Sequence, residues 1–236
     1  MNLLLFSAAD RISDDSICVK DRRLHHLNNV LRSNTGDRIR VGELGGRIGE
    51  GEIRSLDDSS AVLRVQLSET PPPKLPLILV LALPRPKMLR RILRTTAEMG
   101  VAELHLIHSY RVEKSYWQTP ALSETAVTGY LLEGLAQARD TVLPRVLQHR
   151  RFKPFVEDEL PALGSRRRMT LLHPGQNPSF APGNGQACLV VIGPEGGFIP
   201  YEVEHLRAAG CELASLGDRI LRVESAVTAM LGRFAA

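Results

Sequence analysis

The sequence predicts a two-domain protein in which a small antiparallel β-barrel precedes a larger α/β domain with a mostly parallel sheet. Three observations carry this expectation: a proline-rich spacer, Pro71-Pro72-Pro73-Lys74-Leu75-Pro76, short alternating segments before it, and apolar strands alternating with helical repeats after it. The spacer is stiff, because proline fixes φ and lacks the amide hydrogen that a helix or a central strand needs. It sets the domains at residues 1–70 and 74–236 of a 236-residue chain, long enough for two cores of moderate size.

In the first domain, alternation around Asp37–Val41, Arg47–Ile53 and Ala61–Leu67 predicts three strands, punctuated by Asn34-Thr35-Gly36 and Gly45-Gly46. One helix is expected near Arg23–Leu31. Beyond the spacer, Leu77–Leu83 is a continuous apolar run of buried-strand length, followed by Leu89, Ile92, Leu93 and Ala97 at helical spacing. Gly100 closes that helix as a left-handed cap. Strands are then expected at Val101–Ile107, Thr170–His173 and Cys188–Ile192, with a helix over Ser123–Arg139. Pro200 and Gly210 bracket a further helix in the favoured order of proline first and glycine last. There is no internal repeat.

Composition excludes several classes. A hydrophobic fraction of 43% and a charged fraction of 24% are ordinary for a folded globular chain. No run approaches the roughly 18 apolar residues that span a bilayer, and the opening Met1-Asn2-Leu3-Leu4-Leu5-Phe6 lacks the basic region of a leader, so a cytoplasmic location is expected. Cys18, Cys188 and Cys211 are odd in number and widely spaced, which argues against a disulfide framework or a zinc site and for small buried hydrophobes. No metal is expected. Net charge is +4, and the excess lies beyond residue 70, where 20 basic residues face 15 acidic ones. Its densest run, Arg85, Lys87, Arg90, Arg91 and Arg94, contains no acid; it reads either as a solvated helix face or as a surface for a polyanion.

The most informative segment is Val190-Val191-Ile192-Gly193-Pro194-Glu195-Gly196-Gly197-Phe198, a buried strand that ends in a three-glycine loop before the Pro200 helix. Glycines at the carboxyl end of a parallel strand let a ligand approach the backbone closely. The spacing is neither a dinucleotide fingerprint nor a phosphate P-loop. A second segment, Ser215-Leu216-Gly217-Asp218-Arg219-Ile220-Leu221-Arg222-Val223-Glu224-Ser225-Ala226, holds charges ahead of an apolar helix, which is costly unless they are paired or used. A third, Leu171-Leu172-His173-Pro174-Gly175, sets another strand end against a turn; His173 alone reads more simply as a hydrogen-bonded structural histidine.

These three segments, Leu172-His173-Pro174, Ile192 through Gly197 and Leu216 through Ala226, resemble in order the cofactor loops of the SPOUT superfamily, specifically the bacterial 16S ribosomal RNA uridine-N3 methyltransferases. His26, Val30, Leu31 and Arg32 followed by Gly36-Asp37 resemble that family's PUA-like first domain, and Glu98-Met99-Gly100-Val101 resembles its Glu-Leu-Gly-Val helix end. The likeness spans nearly the whole chain. Ala136-Gln137-Ala138-Arg139-Asp140 departs from the family's Glu-Gln-x-x-Arg, keeping Gln137 and shifting the arginine, and Arg85-Pro86-Lys87-Met88 varies the usual basic pattern.

The resemblance implies a trefoil-knotted carboxyl-terminal domain, a rare exception to unthreaded chains. It implies S-adenosyl-L-methionine held by Leu172, His173, Pro174, Ile192, Gly193, Pro194, Glu195, Gly196, Gly197, Leu216, Gly217, Ile220, Leu221, Arg222, Glu224 and Ala226. Uracil N3 is protonated at neutral pH, so the enzyme must favour its deprotonated form and aim it. Arg222 is the expected partner for the charge that spreads to the flanking carbonyls, with Glu195 beside it in the catalytic pair. Glu195 and Glu224 have two readings, orienting the arginine or the methionine amine, or capping. Arg32, Arg38, Arg85, Lys87, Arg90, Arg94 and Gln137 are the expected RNA contacts, the partner being 16S rRNA within the small ribosomal subunit. The resemblance also implies a homodimer. Rival readings are a SPOUT enzyme acting on another ribosomal or transfer RNA base, a non-catalytic ribosome-assembly protein, and a doubly wound nucleotide-binding enzyme, which lacks its phosphate lysine and ribose-binding acid.

Overall fold

The computed structural model describes residues 2–183 and 185–234. They pack as two units, one running to Pro73 and including Leu132–Leu143, the other comprising Lys74–Leu131 and the chain from Pro144 onward. Residues 132–143 thus keep company with the first unit, an association that linear boundaries at 70 and 74 do not express.

The first unit holds β1 (Leu4–Phe6), β2 (Arg11–Ser13), β3 (Ser16–Val19), α1 (Asp21–His25), β4 (Arg38–Glu43), β5 (Ile48–Leu56) and β6 (Ala61–Glu69). Its strands form one curved sheet in the order β1-β4-β5-β6-β3-β2, antiparallel throughout except for the parallel pair β1 and β4. Phe6, Ile17, Leu27, Val41, Ile53 and Leu63 meet at its centre. The helix expected near Arg23 starts at Asp21 and widens into a π-helical turn, His26–Leu31, which buries Leu27 and ends where Arg32 turns left-handed at φ 52°. The side-chain period within it is therefore longer than 3.6.

In the second unit β7 (Leu75–Ala82), α2 (Pro86–Glu98) and β8 (Val101–Ile107) form a parallel βαβ start, and α3 (Glu124–Ala138) follows, its residues from Leu132 onward belonging to the first unit. Then come β9 (Arg145–His149), α4 (Phe152–Pro154), a π turn over Phe155–Glu159, α5 (Leu160–Gly164), β10 (Arg168–Leu172), β11 (Cys188–Ile192), α6 (Pro200–Ala208), β12 (Glu212–Ala214) and α7 (Val223–Gly232). Every pairing is parallel, in the order β12-β10-β11-β7-β8-β9. Central β7 and β11 are covered on both faces, which is why they read as unbroken apolar runs. After edge strand β12 the chain returns to pack α7 on α2 and β11.

The strand expected at Thr170–His173 runs over Arg168–Leu172, so His173 lies just beyond its end. Edge strands β9 and β12 and the turns over 152–164 carry no clear period and are absent from the sequence expectation. Cys188 and Cys211 are buried, whereas Cys18 is half-buried, and all three thiols are free. Burial pushes the Cys211 thiol up to about 12, which leaves it inert as a nucleophile. Among the described residues no helix is long and apolar enough to cross a membrane.

Candidate active site

The loops that follow β10, β11 and β12 leave the same end of the sheet from neighbouring positions, and backbone bonds fasten them together. His173 N–H donates to Ala214 O at 2.9 Å, Phe180 N–H to Ser215 O at 2.8 Å, and Ser215 N–H to Pro178 O at 2.8 Å. Arg233 completes the fastening from the end of α7: its guanidinium donates to Leu216 O at 3.2 Å and to the carbonyl of Phe180. No motif singles out Arg233.

Between these loops lies a small open cleft of about 110 Å³. Leu172, His173 and Pro174 form one wall, Ile192, Gly193, Pro194, Glu195 and Gly197 a second, and Leu216, Gly217, Ile220, Leu221 and Ala226 a third. All of these are expected site residues. Gly197 at φ 73° and Gly217 at φ 122° take conformations that side-chain-bearing residues rarely adopt, and each lies at the bend of its loop. Phe198, Arg219 and Val223 also line the cleft, though the sequence did not single them out. The Phe198 ring closes the floor, standing 3.1 Å from where a Cβ on Gly193 would lie.

Three expected cofactor residues are not among those lining the cleft. Gly196 lies against the Arg111 stem, and Glu224 stands in the first turn of α7 beside Arg91, Ile92 and Thr95 of α2. Arg222 caps α7, flanked by the lining residues Leu221 and Val223, with an exposed side chain. Glu195 is exposed, and its Oε1 accepts from the backbone N–H of Arg85 at 3.2 Å, tying the glycine loop to the start of α2. His173 donates through Nδ1–H to Pro174 O at 2.7 Å, as a structural histidine does.

Of the expected RNA contacts, Arg85, Lys87 and Arg90 are exposed on α2 or its cap, and Arg90 and Arg94 lie over the Tyr130 ring at 5.9 and 5.4 Å. Arg32, Arg38 and Gln137 belong to the first unit; Arg38 is exposed, 3.7 Å from Glu50. Among the described residues no cluster of three His, Cys, Asp or Glu side chains could hold a metal ion.

The cleft fits an elongated molecule with an apolar planar end: Leu172, Ile192, Leu216, Leu221 and Ala226 supply aliphatic contact, and the glycine bends bring backbone amides and carbonyls within reach. Residues 71–235 match the model of an RNA methyltransferase domain, and residues 19–66 that of an RNA methyltransferase PUA domain. The chain is 28% identical to ribosomal RNA small subunit methyltransferase E of Treponema pallidum, over 97% of this chain and 88% of that protein. It is 27% identical to the Synechocystis protein of the same name, over 97% and 76%. A crystal structure of the Neisseria gonorrhoeae ribosomal RNA small subunit methyltransferase E bound to S-adenosyl methionine shares the fold, with a TM-score of 0.77 at 18% identity over 98% of this chain and 95% of that one.

Proposed function

From the premise that the chain belongs to the RNA methyltransferase family whose domain model covers residues 71–235, we propose that it methylates N3 of a specific uridine in the 16S rRNA of the small ribosomal subunit. The observation that carries this reading is the convergence of the loops after β10, β11 and β12 on one cleft with glycine bends and aliphatic walls. S-adenosyl-L-methionine, the donor bound by the gonococcal relative, supplies an electrophilic methyl group when held there.

The chain's own residues do the rest. Leu172, Ile192, Leu216, Leu221 and Ala226 grip the adenine end; Gly193, Gly197 and Gly217 admit the backbone of their loops to it. Arg222, at the amino-terminal end of α7, offers a permanent positive charge, reinforced by the helix dipole, that favours the N3-deprotonated form of uracil through its carbonyl oxygens. Glu195, fixed on the Arg85 amide, orients the glycine loop. Residues 1–70, through Arg32 and Arg38, and residues 74–236, through Arg85, Lys87, Arg90, Arg94 and Gln137, each contribute contacts to the RNA. We read the enzyme as a homodimer working in the cytoplasm, with the exposed small residues Ser225, Thr228 and Ala229 that α7 presents beside α2 as the face offered to the second copy.

The test is to incubate the protein with labelled S-adenosylmethionine and small subunits from a strain lacking the modification, then map the methylated base by mass spectrometry. Label at uridine N3 of 16S rRNA is the expected result; label confined to transfer RNA overturns the substrate assignment. Sedimentation at micromolar concentration reports the dimer.

A further inference from the structure

The segment after β8, from His108 to Gln118, carries none of the residues assigned above, yet it is braced against the glycine loop at two points. Glu202, only 3% exposed, accepts from the Tyr110 backbone N–H at 2.7 Å through one oxygen and from the Ile199 N–H at 3.1 Å through the other. Arg111 donates to the carbonyl of Gly196, and its Cδ stands 3.0 Å from where a Cβ on Gly196 would lie. A carboxylate is costly to bury unless hydrogen bonds replace its water. Here both donors are backbone groups, taken from separate stretches of chain, so Glu202 fixes one loop relative to the other.

What the brace holds is an aromatic ring in solvent. Tyr110 is 78% exposed while its own amide is locked, and it follows β8 at the same carboxyl end of the sheet that the cleft occupies. Isolated exposed tyrosines are ordinary. This one stands beside Arg111, which touches the glycine loop, and Glu195 of that loop is in turn held by the Arg85 backbone amide at the start of α2. A flat ring on an immobilised backbone, with the Arg111 guanidinium as its chain neighbour, offers what a single unstacked base needs: a π face to lie on and a charge for its phosphate.

We propose that Tyr110 is the stacking platform for the target base and that Glu202 is the positioning residue that sets it. The proposal rests on the reading of the chain as a methyltransferase of an unstacked uridine, and it adds which surface receives that base.

Small subunits carrying 4-thiouridine in place of uridine are irradiated with the full-length protein and the adducts mapped by mass spectrometry, alongside steady-state methylation and cofactor calorimetry on variants. An adduct at Tyr110 is expected. Tyr110→Ala should raise KM for subunits about tenfold, with cofactor affinity unchanged, and Tyr110→Phe should restore it because the ring is kept. Glu202→Gln should raise KM in the same direction and add little on top of Tyr110→Ala. An unchanged KM in Tyr110→Ala, or adducts elsewhere while the wild type methylates normally, overturns the platform alone. A Glu202→Gln protein that melts earlier with KM unchanged overturns the positioning role. A wild type that neither binds the donor nor methylates overturns the functional reading; the platform then stands if the adduct still falls on Tyr110 and falls with it otherwise.

Discussion

His105 Nδ1 of β8 lies 2.9 Å from His149 Nε2 of β9, and the two rings stack with centroids 5.0 Å apart. The pair continues at each end, through His105 Nε2 to Glu103 at 2.6 Å and through His149 Nδ1 to Glu159 at 3.1 Å, with Phe155 covering both rings. It joins the edge of the sheet to the π turn. Burial, the dominant influence, holds the His105 ring below its ordinary value of 6.5, against the opposing pull of Glu103. The unfolded chain therefore takes up a proton at His105 near pH 6.5 that the folded protein refuses. Stability from this residue is complete above that pH and is lost as pH falls through the lower folded value. Urea midpoints should drop between pH 7.5 and 5.5, and His105→Gln should flatten that part of the profile; identical profiles would remove the histidine from the account.

Arg23 and Asp10 form a two-pronged pair at 2.6 and 2.8 Å that is largely shielded from water, and Arg23 also holds the Leu5 carbonyl at 3.1 Å. The Arg23 hydrogen bonds keep the Asp10 carboxyl below its usual range, so its contribution is present above about pH 4 and disappears as acid protonates it. Asp10→Asn should cost about 1–3 kcal/mol of stability in the first unit, read by denaturant titration at pH 7, with donor binding in the second unit retained.

Arg222→Ala should lower turnover about 10²–10³-fold, the scale of removing one donor to a developing oxyanion, while calorimetry shows donor affinity changed little. Arg222→Lys should recover only part of the loss, because a point charge cannot reproduce the guanidinium fork. Undiminished turnover in the alanine variant removes this side chain from catalysis.

Gly217 has open space around the position of a Cβ, but its φ of 122° is strained for any other residue. Gly217→Ala should therefore act through the backbone alone, at about 1–3 kcal/mol, and show up first as weaker donor binding because the loop relaxes away from the cleft. Unaltered affinity would mean that the bend tolerates a second conformation.

Arg85 and Lys87 are exposed, so their joint replacement by alanine should weaken RNA binding and make it less salt-dependent, reducing the log–log slope by about 1–2. A titration of binding against potassium chloride decides it, and an unchanged slope would place the phosphates elsewhere.

Legibility in the sequence followed burial. The strands Leu75–Ala82 and Cys188–Ile192 lie where the apolar runs predict them, since central parallel strands covered on both faces have no polar face to confuse the pattern. β9 was not legible because at the sheet edge Arg145 and Gln148 are exposed among half-buried neighbours, leaving no period. The π-helical turns at His26–Leu31 and Phe155–Glu159 escape a rule built on 3.6 residues per turn. In the site, glycines and aliphatic walls were readable because their chemistry is local. Arg233 and Phe198 were not, since each acts through groups brought near only by folding. Glu202 left a trace: an acid at the third position of a helix opened by Pro200 is a known amino-terminal pattern, although its second partner, Tyr110, is 92 residues away.

The single guanidinium that ties the Phe180 and Leu216 carbonyls together also sets a timetable for the nascent chain. Strands up to β11 can pair as they emerge from the exit tunnel, but those two carbonyls wait for their common donor until residue 233 has cleared it. Fragments that stop short of that arginine should therefore form the sheet yet hold the methyl donor less tightly than the full chain.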